Sequence, residues 1–133
     1  MSTRMTKEEF PTSFGVFKPV GHVVVSLKDD ATAQAMAGAL QEQGFAEEDI
    51  VFFRADEMSQ QIKTHMPHIN ATAGFGTEIQ FMRHYDELAA TGHGWLIVYT
   101  PDPKQEPIVA EVAERYNADL AHKYNRLITE ELI

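Results

Sequence analysis

GHVVVSLKDD (residues 21–30) and GHGWLIVYTPD (residues 92–102) are two versions of one phrase, 71 residues apart from His22 to His93. Each opens on Gly-His, continues as a short apolar run, and breaks at an acidic or Pro-Asp turn. Runs of that length and composition read as buried strands. The segments behind them are also alike. Ala33, Met36, Ala37 and Leu40 recur at helical spacing behind the first. Ile108, Val109, Val112, Ala113 and Tyr116 do so behind the second. A further strand closes each half: residues 50–53 in one, and a stretch within 119–128 in the other. In that last stretch Tyr124, Arg126 and Ile128 alternate with Lys123, Asn125 and Leu127. The chain therefore reads as two β-α-β units, residues 20–55 and 93–133.

The punctuation agrees. Asp29 or Asp30 is placed to cap the first helix, and Gly44 to end it with Phe45 in hydrophobic contact beyond. Pro107 suits the first turn of the last helix and Asn117 its end. Between the units, residues 56–92 read as an inserted helical pair. Asp56 is the expected cap of the first, with Met58, Ile62 and Met66 at helical spacing until Pro67 is expected to stop it. Thr77-Glu78-Ile79-Gln80 has the T-x-x-Q form of a capping box ahead of the stripe Ile79, Met82, Tyr85, Leu88 and Ala89, which Gly92 closes.

Two β-α-β units with four strands predict an α+β fold, a ferredoxin-like sandwich with an antiparallel sheet and helices on one face. The alternative is an α/β doubly wound parallel sheet. Residues 20–133 form the single domain. Residues 1–19, with Phe10, Phe14 and Phe17 among prolines and glycine, read as an N-terminal arm without regular structure. Its aromatic side chains need a surface, either the domain itself or a partner subunit.

The run GTEIQFMRHYDELAATGHGWLIVYTPD and the tail AHKYNRLITEEL resemble a group of small bacterial proteins similar to the general stress protein 17M-like families. The resemblance covers roughly residues 20–133, implies strand–helix–strand units, and implies no activity. Several of its members carry a glycine-rich segment near the middle, where this chain has only ATAGFG.

Composition narrows the function classes. With 133 residues, 44% hydrophobic and 23% charged, the chain has the balance of one globular domain. No run is long enough for a membrane-spanning helix, and MSTRMTKEEF has no apolar leader. The absence of cysteine removes disulfides, thiolate chemistry and Cys-ligated zinc, and fits a cytoplasmic protein. A net charge of −9, with scattered basic residues, argues against a nucleic-acid partner. Six histidines stand out, since protonating all of them would bring the charge to −3.

Three constellations are candidate sites. His65 and His68 share the spacing of a zinc pair, with His84, Glu78 or Asp86 as candidate third ligand, but Pro67 between them is expected to leave His68 in a loop. Gly74 and Gly76 precede Thr77 at a helix start, where exposed N–H groups suit a small anion; the third glycine and the lysine of nucleotide loops are missing. Arg83 and His84 lie on the polar face of that helix and extend the same ligand site. Solvated helix faces and loop histidines account for all three in purely structural terms. Strand-start hydrogen bonds are the expected role of His22 and His93. The expectation is a homodimeric, non-enzymatic ligand-binding or stress-related regulatory module, binding a small anionic ligand and needing no cofactor. The alternative is an enzyme that uses a divalent metal such as zinc, or an anion, within residues 65–93.

Overall fold

The computed structural model describes residues 4–13, 16–69, 76–126 and 128–133. Two short strands, β1 (Thr12–Ser13) and β2 (Val16–Phe17), pair within the arm. Then come β3 (His22–Leu27), α1 (Asp30–Glu42), a 3₁₀ turn (Glu47–Asp49) and β4 (Ile50–Phe53). The inserted helices are α2 (Ala55–Ile69) and α3 (Gly76–Ala90). The second unit is β5 (Gly94–Tyr99), α4 (Gln105–Arg115) and β6 (Leu120–Tyr124), followed by β7 (Thr129–Glu131).

Local chemistry sets the boundaries. Asp29 caps α1, its carboxylate accepting the Thr32 N–H at 2.7 Å. Asp30 serves the next helix instead, accepting the Ala55 N–H at 3.0 Å. Glu57 accepts the Arg54 N–H at 2.9 Å, so Arg54 occupies the cap position of α2 and Asp56 lies inside the first turn. Three helices end in one way. Gly44, Gly92 and Asn117 take φ of 102°, 89° and 55°. The next residues, Phe45, His93 and Ala118, donate back to Leu40, Leu88 and Ala113 at 3.1, 3.2 and 2.9 Å.

The five-stranded sheet has the order β4-β5-β3-β6-β7, and every neighbouring pair is antiparallel. That corrects the doubly wound alternative, which needs parallel neighbours. Each β-α-β unit skips one strand: β3 and β4 flank β5, and β5 and β6 flank β3. The two units thus interlock around the central pair, His22–Leu27 against Gly94–Tyr99.

Both sheet faces are covered, not one. Val23, Val25, Leu27, Leu96 and Val98 pack with Met36, Leu40, Val109 and Val112 of α1 and α4. Val24, Val51, Phe53, Trp95 and Ile97 pack with Met58, Ile62, Met82 and Tyr85 of α2 and α3. Period-two alternation along each strand divides these sets. The inserted helices therefore cover the second face of the sheet, and a strand apolar on both sides needs that cover.

Several expectations change. Pro67 does not end α2, whose backbone stays helical to Ile69 and includes His68. A proline so near the end forfeits a single i→i−4 bond, to Lys63, and the turn continues. Helix α3 begins at Gly76, which puts Thr77 inside its first turn rather than at the cap. The arm holds the β1–β2 pair, closed by Lys18 N–H to Pro11 O at 2.9 Å. Phe17 is wholly buried, with Phe10 stacked on it at 4.3 Å, so these two arm aromatics pack on their own domain; Phe14 lies outside the described residues. The last strand stops at Tyr124, where Asn125 N–H to Ile128 O (2.9 Å) turns the chain into β7.

Candidate functional site

Only some of the residues singled out in the sequence are described, and those are spread apart. Gly74 lies outside the described residues, and of Gly76 and Thr77 only the helical backbone is described. Arg83 and His84 are exposed on α3. His65 is half-buried and stacks on Phe10, with ring centroids 5.0 Å apart. His65 therefore faces the arm while His84 faces solvent. The side chain of His68 is outside the described residues, and among those described no group of three acidic, His or Cys residues is placed to hold a metal ion.

The other histidines are fastened into the frame. His22 is buried, with Nδ1 2.9 Å from Val20 O and Nε2 3.0 Å from the Met5 N–H. His93 Nε2 meets Asp119 at 2.8 Å, tying the end of α3 to the start of β6. His122 lies under α3 with Phe81 against its ring, centroids 4.3 Å apart. The Tyr85 hydroxyl is 2.8 Å from His122 Nδ1 and 2.8 Å from the Tyr124 hydroxyl. Burial pulls the His122 pKa down to about 4, although Glu131 opposes the shift; nearby His84 adds to it. Burial also drives the Tyr85 hydroxyl well above its ordinary value. A neutral imidazole and neutral phenols make an internal hydrogen-bonded network, with the exposed Glu131 carboxylate 4.0 Å from His122 Nε2 at its margin.

A different cluster does open outward. Lys123 is only 4% exposed, an unusual place for an ammonium. Its Nζ donates to Thr100 O at 2.8 Å and Thr100 Oγ1 at 2.7 Å, and lies 3.2 Å from Glu106 Oε2. The sheet brings these together: Thr100 follows β5, Lys123 is near the end of β6, and Glu106 is in the first turn of α4. They line a cavity of about 310 Å³ with Gly21, Pro101, Pro103 and Arg126. Arg126 is exposed at its rim, and no acid pairs with it among the described residues.

Two larger hollows flank the arm, of about 490 and 420 Å³. Their cations are already matched, Lys7 with Glu57 at 2.8 Å and Arg4 with Asp49 at 3.1 Å. The Lys123 cavity is smaller, yet it joins a buried charge to a rim cation that has no matching acid among the described residues. The sequence carries a faint signal for it. Lys123 alternates in phase with Ala121 on the strand, the side that faces α1 and α4. Thr100 and Glu106 give no such signal, since only the fold makes them neighbours of Lys123.

Compared with protein-family models, with curated proteins and with solved structures, the chain shows no match.

Proposed function

We propose that this chain is a non-enzymatic small-ligand-binding module, built as a ferredoxin-like sandwich whose second face is closed by an inserted helical pair. The strand order β4-β5-β3-β6 and the two interlocked β-α-β units support that fold reading. The observation that carries the function is the cavity at the ends of β5 and β6, floored by buried Lys123. At about 310 Å³ it is at the small end of ligand sites, which suits a metabolite of few heavy atoms. A binding role is favoured over catalysis because His22, His93 and His122 each hold structural partners and none lines this cavity. We also read the protein as a homodimer, joined at the outer edge of β4, where the sheet ends.

The test is amide-resolved NMR of the full chain against mixtures of small metabolites, charged and neutral. Shifts confined to Gly21, Thr100, Lys123 and Arg126 are the expected result. Millimolar ligands that leave all four unmoved would remove the cavity as a binding site.

A further inference from the structure

The three contacts of Lys123 are not equivalent. Both Thr100 oxygens are neutral and close, at 2.8 and 2.7 Å, so they hold the ammonium in position without compensating its charge. Compensation comes from Glu106, at the longer distance of 3.2 Å. The exposures differ as well: the Lys123 side chain is 6% exposed and that of Glu106 is 21%. Lys123 sits on a strand inside the sheet and meets solvent only through the cavity. Glu106 is in the first turn of α4, lines the cavity, and already reaches solvent in part.

We propose that the cavity takes a small oxyanion, a carboxylate or a phosphate monoester, which displaces Glu106 as the counter-ion of Lys123. This rests on the reading of the cavity as the ligand site and adds the class of ligand and how it enters. A buried ammonium without an anion is costly, so Glu106 can leave only when another anion takes its place. The exchange trades one carboxylate for another negative group and keeps the buried charge balanced. Arg126 supplies a second cation at the rim and draws an anion toward a chain whose net charge is −9. A phosphate monoester, with its higher charge, engages both cations, whereas a monocarboxylate is satisfied by Lys123. Glu106 is then a built-in competitor that sets how much ligand is needed for occupancy.

Inorganic phosphate and acetate serve as probes, titrated into the full chain at pH 7 and followed through the amide shifts of Thr100, Lys123 and Arg126. Glu106→Gln removes the competing charge and is expected to tighten both by about tenfold. Glu106→Asp keeps a carboxylate on α4 but withdraws it by one methylene, and is expected to fall between Glu106→Gln and the wild type. Arg126→Ala is expected to weaken phosphate several-fold and to change acetate little. Should Glu106→Gln prove unstable, a rise of its melting temperature in phosphate larger than that of the wild type supports the displacement equally. Affinities in Glu106→Gln no tighter than in the wild type would overturn the displacement, as would shifts lying elsewhere in the chain. Silence from both anions in every variant would overturn the ligand class. A neutral metabolite that still moved Thr100 and Lys123 would then show that the cavity survives as a site.

Discussion

The N–H of Met5 donates to Nε2 of His22 across 3.0 Å, joining the arm to the first residue of a central strand. The opposite nitrogen fixes the tautomer: Nδ1 lies 2.9 Å from the Val20 carbonyl and must carry the proton there. A second proton on the ring would set an N–H against the N–H of Met5. Burial lowers the His22 pKa, Lys123 adds to that, and the Val20 and Pro19 hydrogen bonds and Asp49 work against it. The sign is that of a depressed group. The stability due to the neutral ring is present above the unfolded value of about 6.5 and is lost as pH falls through the lower folded value. Hydrogen-exchange protection of the Met5 amide, corrected for intrinsic rates, is therefore expected to drop from pH 7.5 to pH 5. In His22→Gln, which keeps an acceptor without a titration, it is expected to stay level.

His122 extends this pH dependence to the whole domain. Its folded value of about 4 lies well below the ordinary histidine value of about 6.5, a gap equivalent to about 3 kcal/mol of linkage. This stability is intact above pH 6.5 and disappears as pH falls toward 4. Urea denaturation at pH 7, 5.5 and 4 is expected to show that slope. His122→Gln, though less stable at pH 7, is expected to show a flatter curve; an unchanged slope would mean that the imbalance lies elsewhere.

Much of the fold was legible because its signals are short-range. Asp29, Gly44, Gly92 and Asn117 act on their own turns, and the chain carries them out as read. The face covered by the inserted helices was not legible, since periodicity shows which side of α2 is apolar but not where the helix goes. The β1–β2 pair and β7 have two or three residues per strand, too few for alternation to register. The site was least visible. A lysine reads as solvated by type, and Lys123 becomes a buried charge only because β6 lies beside β3 at the sheet interior. His84 was expected as a third ligand beside the His65 and His68 pair, while the packing turns His65 toward Phe10 and His84 toward water.

Gly94 marks a close approach between sheet and helix. A Cβ there would lie 2.8 Å from the Asp29 carbonyl oxygen, 2.8 Å from Asp30 Cα and 3.0 Å from Ala33 Cβ. Two of those atoms are backbone at the capped start of α1 and cannot move independently. Gly94→Ala is expected to cost about 2–3 kcal/mol by overpacking. Gly38 meets nothing within 4 Å, and Gly38→Ala is expected to be neutral or stabilising by roughly 0.5 kcal/mol from helix propensity. Chemical denaturation of the two variants side by side checks the contrast.

Removing either partner of the Lys123–Glu106 pair leaves the other behind, and the two remainders differ in their access to water. Glu106→Gln leaves an ammonium at 4% exposure, held by two neutral Thr100 oxygens and meeting solvent only through the cavity. Its cost is expected to be about 2–3 kcal/mol, toward the range for a broken buried pair. Lys123→Met leaves a carboxylate beside an open cavity, where it can turn outward. That loss is expected to be about 1 kcal/mol, mostly the forfeited Thr100 hydrogen bonds. Thermal or urea denaturation of both single variants and the double variant would measure the asymmetry. Equal costs would place Glu106 as firmly in the interior as Lys123, and a carboxylate so fixed could not give way to a ligand.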